Sequence, residues 1–397
     1  MEKNKKKKSK KWIRKRHKFY FWLLRTIFYP ILKIRYKYVY KREDKAVPSK
    51  CIIMCNHQAT LDPAFLIMLL HRPIYFIMSE DLFTLGAISS FIKHSIAPIS
   101  KSKSKSDINT IRQTLRVLGE GGTVALYPSG NRTLSGKEWE IDFSTAKLVK
   151  MAKAPLVLYN ICGCYGSDPR WGKGVRKGKT TMVLKKVISA EQIQEMSLDE
   201  IYNEIVTALD VDDRSLNVNF KSKRSAEFVE RALYYCPHCH SFNTLKSKGK
   251  ILSCTNCDFK AEYKENLTFG QIAGDLPYLT VREWFDAQQV FLKQRTAETD
   301  QTLFSDKLVL SRTIKDFKRD KKQKSSISAN RDGVIVKTES GKVYDVKFNE
   351  IYGATILGKK KINFYLPDDI VLQIKGNETF NSVKYLHLYE CTKEANK

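Results

Sequence analysis

The sequence predicts an α/β protein: a mixed sheet flanked by helices, then a small four-cysteine module and a C-terminal antiparallel β region. Three observations carry this. In the first half, apolar runs of strand length, such as Cys51–Cys55 and Ala154–Tyr159, alternate with helical stripes such as Asp107–Leu118. Cys236-Pro237-His238-Cys239 and Cys254-Thr255-Asn256-Cys257 then form two paired-cysteine knuckles. From about residue 305, seven short strand-like segments follow one another with Asp332-Gly333 and Ser340-Gly341 as turn signals. A chain of 397 residues has room for two or three such units.

The elements follow in order. Residues 1–17 form a basic tail, and residues 1–18 carry eleven Lys/Arg against one Glu. Phe19–Leu24, Arg25 and Thr26–Leu32 come next, with Pro30 inside the last run. That stretch is shorter and more interrupted than the roughly 20 apolar residues of a spanning helix. Aromatic residues beside clustered cations instead predict an interfacial helix in the headgroup layer, and no signal-peptide cleavage site is recognisable. Cys51–Cys55 reads as a buried strand, and Asp62-Pro63 as the N-cap and first residue of a helix through Leu70.

Ile96–Lys101 is a short strand ending in a cation, followed by Ser/Lys alternation through Lys103 and Lys105. Val124–Thr133 runs from a strand into a Pro/Gly turn. Helices are expected at Asp107–Leu118, at Phe143–Met151 and from the Ser197 cap to Leu209. Arg170–Lys179 is a basic loop holding Trp171, placed either against headgroups or substrate or in solvent. Thr180–Ile188 is a strand, and residues 210–223 read as a linker because apolar periodicity is lost there.

The organisation expected is therefore an α/β domain with an N-terminal interfacial helix at 18–215, a metal module at 230–262, a helical linker at 263–300 and a β-rich domain at 301–397. Thr280 to Glu283 is a capping box that opens the helix of the linker. The last region, with a final helix at Asn381–Cys391, resembles a pleckstrin-homology-like or GRAM-like barrel by pattern alone.

The chemistry concentrates in Asn56-His57-Gln58-Ala59-Thr60-Leu61-Asp62-Pro63. His57 falls on a strand-to-helix turn, and Asp62 can fold back toward it. A carboxylate that accepts the Nδ1 proton of an imidazole leaves Nε2 free to take a proton from an alcohol. Downstream, Ile96–Lys101, Tyr127-Pro128-Ser129-Gly130-Asn131-Arg132 and Ala154–Tyr159 appear in a fixed order. Together with NHQATLDP these four blocks resemble the 1-acylglycerol-3-phosphate acyltransferase (lysophosphatidate acyltransferase) family, over roughly residues 18–215.

The resemblance implies a glycerolipid-acyltransferase fold and direct acyl transfer, with His57 as general base and Asp62 orienting it. It also implies a lysophospholipid acceptor and an acyl-CoA or acyl carrier protein donor. Lys101, Ser129, Gly130 and Arg132 become the acceptor-binding candidates. Two departures stand out: the third block has Ser129 where the family has glutamate, and the second ends in Lys101 rather than arginine. Lysine offers a point charge without the bidentate fork.

Fourteen residues, containing a Gly249 turn, separate the two knuckles, a spacing that suits a hairpin carrying Cys236, Cys239, Cys254 and Cys257 onto one structural zinc ion. Four thiolates leave no open coordination position. Disulfides are the rival, and they need an oxidising compartment. The other cysteines (51, 55, 162, 164, 391) read as buried structural thiols.

A net charge of +28 calls for an anionic partner, either a membrane surface or a nucleic acid. The aromatic-apolar segment 19–32 favours the membrane, at its cytoplasmic face as a peripheral or monotopic protein. A nucleic-acid-binding zinc-ribbon protein is the rival class, but it leaves that segment unexplained. A lipid-binding relative that has lost catalysis is the third.

Overall fold

The computed structural model describes residues 11–39, 45–80, 87–101, 108–315 and 318–395. The tail up to residue 10, Lys103, Lys105 and Asp107 lie outside the described residues.

The first half contains α1 (Lys15–Tyr36), β1 (Cys51–Cys55), α2 (Asp62–Leu69), β2 (Ile74–Ser79), α3 (Ala87–Ser95), β3 (Ile99–Lys101) and α4 (Ile108–Gly119). It continues through β4 (Thr123–Leu126), α5 (Ser144–Ala152), β5 (Leu156–Cys162), α6 (Cys164–Ser167), β6 (Thr181–Ile188), α7 (Ala190–Glu195) and α8 (Leu198–Leu209). The strands form one sheet in the order β3-β2-β4-β1-β5-β6. Its first five strands are parallel, and β6 is an antiparallel edge. β1 lies between two parallel neighbours and all five of its residues are buried, which is why it reads as an unbroken apolar run.

One face of the sheet packs with α1 and α2, through Phe21, Phe65 and Leu66. The other face packs with α4, α5 and α8, through Val117, Val149 and Ile205. Ser197 caps α8 as expected, accepting from the Glu200 N–H at 3.1 Å. Asp62 is not the cap of α2: the cap position is Leu61, and Asp62 is the first helical residue. Its carboxylate is thereby free to turn back into the preceding loop.

The second half holds β7 (Leu245–Lys248), β8 (Ile251–Cys254), β9 (Lys260–Tyr263), β10 (Phe269–Ala273), α9 (Val281–Glu298), β11 (Phe304–Lys315), β12 (Lys318–Arg319) and β13 (Gln323–Asn330). It ends with β14 (Gly333–Thr338), β15 (Val343–Lys347), β16 (Gly353–Ile356), β17 (Lys361–Tyr365), β18 (Val371–Lys375) and α10 (Val383–Ala395). β10-β9-β8-β7 make a four-stranded sheet. Gly249, at φ 63°, turns the β7–β8 hairpin in a conformation that favours glycine. The C-terminal strands form an antiparallel sheet in the order β15-β14-β13-β11-β18-β17-β16, with β12 attached to β11. The first strand of that sheet is thus paired with the last.

Three expectations are corrected. Residues 263–300 are not a linker: they supply β10, which pairs with β9, and α9, whose Trp284 and Leu292 are buried. Trp284 Nε1 donates to the Tyr235 carbonyl at 2.9 Å, and Gln288 both accepts from the Tyr234 N–H and donates to the Ala232 carbonyl. α9 is therefore the beam shared by the cysteine module and the β region, which have one continuous core.

Residues 210–223 are not a linker either. The buried Asp213 carboxylate accepts from the Gly163 and Gly166 N–H groups at 2.7 and 2.9 Å. Its polarity faced inward, so the lost periodicity misled.

The basic loop at 170–179 opens with two buried side chains, Arg170 and Trp171. Arg170 donates to the carbonyls of Gly358 (2.7 Å), Ile356 (2.8 Å) and Arg132 (2.8 Å) and to Asn131 Oδ1 (2.7 Å). Four acceptors compensate a buried cation that lacks a carboxylate partner in this set, since an unpaired buried charge is costly.

Candidate active site

The site lies beyond the carboxyl ends of the parallel strands, where open α/β sheets place their ligands. Asn56 follows β1 and clamps it to β5: its Nδ2 donates to the Ile161 carbonyl at 2.9 Å and its Oδ1 accepts from the Ile161 N–H at 2.7 Å. That clamp aims the next residue. His57 Nδ1 donates to Asp62 Oδ2 at 2.7 Å. The same carboxylate accepts from the Gln58 N–H at 2.7 Å and the Ala59 N–H at 3.0 Å, so Asp62, fully buried, is fixed by its own loop. The Tyr127 ring stacks on the imidazole at 4.5 Å between centroids. Among the described residues, His57 Nε2 has no hydrogen-bond partner, and the side chain is one-fifth exposed.

The third block closes the site from β4. The Gly130 N–H donates to the Tyr127 carbonyl at 2.9 Å, closing a turn with Pro128 at its second position. Gly130 sits at φ 65°, with nothing within 4 Å of where a Cβ would stand. Its glycine thus answers a backbone conformation rather than a close approach. Arg132 Nη1 donates to Thr60 Oγ1 at 2.8 Å, placing the guanidinium beside the His57 loop.

Ser129 Oγ donates to Glu138 Oε1. Lys101 ends β3 at the same end of the sheet, but three interstrand steps, roughly 14 Å, from β1. The structure therefore gathers His57, Asp62, Ser129, Gly130 and Arg132, and leaves Lys101 at the far edge.

Glu138 is the residue that sequence reasoning missed. Its Oε2 accepts from the His57 N–H at 3.0 Å, and burial pushes its carboxyl up to about 8 despite the two donated hydrogen bonds. No spacing rule singles out a glutamate in a Gly-Lys-Glu-Trp loop. Gln58, to which the sequence assigned no role, accepts from the Tyr165 N–H through its Oε1 at 2.9 Å.

Residues 37–161 match the Acyltransferase family. Over 148 residues the chain is 28% identical to a 1-acyl-sn-glycerol-3-phosphate acyltransferase of Bacillus subtilis (strain 168), covering 37% of this chain and 70% of that protein. Over this region the chain is similar to acyltransferases. A solved 1-acyl-sn-glycerophosphate acyltransferase from Thermotoga maritima aligns at 15% identity with a TM-score of 0.41, over 48% of this chain and 78% of that one.

The acyltransferase match ends before the cysteine module, where Cys236, Cys239, Cys254 and Cys257 place their sulfurs within 4.8 Å of one another. The Sγ–Sγ distances are 3.8 Å for Cys236–Cys257 and 3.7 Å for Cys239–Cys254. The tetrahedral edge expected for four metal–sulfur bonds of 2.3 Å is about 3.8 Å, so the cluster can hold a metal ion. All nine cysteines are free thiols.

Proposed function

We propose that this protein moves a fatty acyl group from an acyl-CoA or acyl carrier protein thioester to the free hydroxyl of a lysophospholipid, with 1-acylglycerol-3-phosphate as the first acceptor to test. The observation that carries this reading is the 2.7 Å contact between His57 Nδ1 and Asp62, which leaves Nε2 unpartnered among the described residues. Nε2 takes the acceptor hydroxyl proton as the oxygen attacks the thioester carbonyl. The tetrahedral adduct then collapses to an ester, and the thiolate leaves with the proton returned from His57. Asp62 holds the imidazole in the required tautomer and offsets its transient charge, a form of help worth about 10² to 10⁴ in rate. Arg132 pairs with the acceptor phosphate, and Lys101 serves only a headgroup that reaches across the sheet.

No helix among the described residues is long and apolar enough to cross a membrane. The outer side of α1 exposes Phe19 and Trp22, at 58% and 57%, next to Lys15, Lys18 and Lys33. The reading is peripheral attachment to an anionic membrane surface through this helix. The four cysteines are assigned a structural zinc ion, which would supply cross-linking of the two knuckles and no chemistry at His57.

The test is acyl transfer by the full chain on anionic vesicles carrying lysophosphatidate, with acyl-CoA or acyl carrier protein as donor. Product from wild type, reduced at least a hundredfold in His57→Ala, is the expected result. Equal rates in the two proteins would remove His57 as base.

A further inference from the structure

The main chain of His57 is held on both sides by one loop. Its N–H donates to Glu138 Oε2 at 3.0 Å, and its carbonyl accepts from the Thr133 N–H at 2.9 Å. The loop is itself braced: Thr133 Oγ1 donates to the Lys137 carbonyl at 2.6 Å, and Trp139 Nε1 donates to the Arg132 carbonyl at 2.9 Å. Lys137 pairs with Asp286 of α9 at 2.9 Å, and the Trp139 ring meets Phe285 of α9 edge-on at 5.9 Å. A carboxyl group is thus carried to the back of the histidine by a segment anchored in the second half of the chain.

Position 129 explains why it is there. The Ser129 hydroxyl points at Glu138 Oε1 and donates to it. In a glutamate at 129, Cγ would occupy the place of that hydroxyl oxygen. The carboxylate oxygens would lie two bonds further, about 2.4 Å from the ordinary C–C and C=O lengths. That is the space Glu138 fills. Serine at 129 therefore leaves room for the Glu138 carboxyl group and supplies it with a donor.

We infer that Glu138 is the acidic positioning residue of this site, replacing in space the glutamate absent from position 129 and fixing the His57 peptide so that its imidazole faces the acceptor hydroxyl. This rests on the acyl-transfer reading above. Glu138 touches no reacting atom; it acts through the peptide of His57. Without it that N–H is left enclosed and unpaired, at a cost that loosens the turn.

The exchange of the two positions is the test. Wild type, Glu138→Ala and the double variant Ser129→Glu/Glu138→Ala are compared for acyl transfer to lysophosphatidate, for melting temperature and for exchange of the His57 amide hydrogen. Glu138→Ala should lower kcat tenfold or more with the acceptor KM within threefold, and should speed amide exchange. The double variant should recover kcat to within threefold of wild type and restore protection.

A double variant as slow and as unprotected as the single one, or no better folded, overturns the inference. So does a Glu138→Ala protein with wild-type kcat and protection. If wild type itself makes no product from any lysophospholipid, the acyl-transfer reading falls instead. The exchange is then decided by amide protection, which needs no substrate.

Discussion

Arg170 holds Arg132 by its backbone. The Arg170 Nη1 donates to the Arg132 carbonyl at 2.8 Å while Nε and Nη2 of the same guanidinium bind Gly358 and Ile356, in the turn after β16 and at its end. One side chain therefore ties the cation of the site to the C-terminal β sheet. Lys359 reinforces the join from the other direction, donating to the Gly172 carbonyl at 2.6 Å.

Arg170→Ala should then weaken both parts. It strips donors from four acceptors in a buried join, and each unmet buried polar group costs about 1–3 kcal/mol. A loss of roughly 3 kcal/mol or more is expected by denaturant unfolding, with acyl-transfer KM for the phosphate-bearing acceptor rising because Arg132 loses its support. A variant with wild-type stability would show that the join is not held by this side chain.

Asp62→Asn keeps the size of the side chain and removes the charge that, in the proposed mechanism, offsets the imidazolium. The kcat should fall by about 10² or more with little change in melting temperature. A drop confined to stability would instead assign Asp62 to folding of the turn.

Asp213 gives the pH dependence a sign. Burial pushes its carboxyl up to about 6 from the ordinary 3.8. The folded chain therefore holds a proton that the unfolded chain has already released, and stability falls as pH rises from about 4 through 6. Glu138 extends the same trend to about 8. Glu138→Gln should flatten the upper part of that slope in melting temperature measured from pH 5 to 9. His387 acts oppositely at low pH. Burial lowers it to about 3, so stability is lost as pH falls from about 6.5 toward 3.

Metal removal should reach well past the cysteine module. Cys236, Cys254, Trp284, Phe304 and Leu388 belong to one buried cluster, so a chelator should lower the melting temperature of the whole second half. One zinc per chain by elemental analysis, lost together with structure in Cys239→Ser, is the expected result. Full stability after complete chelation would mean that the four thiols need no ion.

Phe19→Ser/Trp22→Ser should reduce binding to anionic vesicles tenfold or more, since both rings are more than half exposed. Binding should also weaken with added salt through the lysines of α1. Vesicle sedimentation of the full chain measures both.

What was legible in the sequence was local. Cys51–Cys55 is apolar on both faces because the strand has neighbours on both sides, and the pattern records that directly. His57 and Asp62 were readable because they lie in one turn, where five residues of spacing bound their distance. Glu138 and Arg170 were not, because their partners arrive from elsewhere in the chain. Charged residues in polar loops look solvated until the carbonyls that satisfy them are known. Asp213 shows the same limit: an inward carboxylate on a short loop reads as linker. Seven of the eight strands β11–β18 were visible from their turns, whereas the two-residue β12 and the pairing of β11 with β18 were not, since period-2 patterning carries no record of partners.

That reach across the chain has a consequence in time. The carbonyl of Ile356 that receives Arg170 is 186 positions downstream. At about 5–20 residues added per second, roughly 10–40 s of synthesis separate the cation from its acceptor. Throughout that interval the strand that carries His57 can form, while the loop bearing Arg132 lacks its brace. The nascent chain thus lacks the Arg170 brace on the Arg132 loop until its last sheet is nearly made.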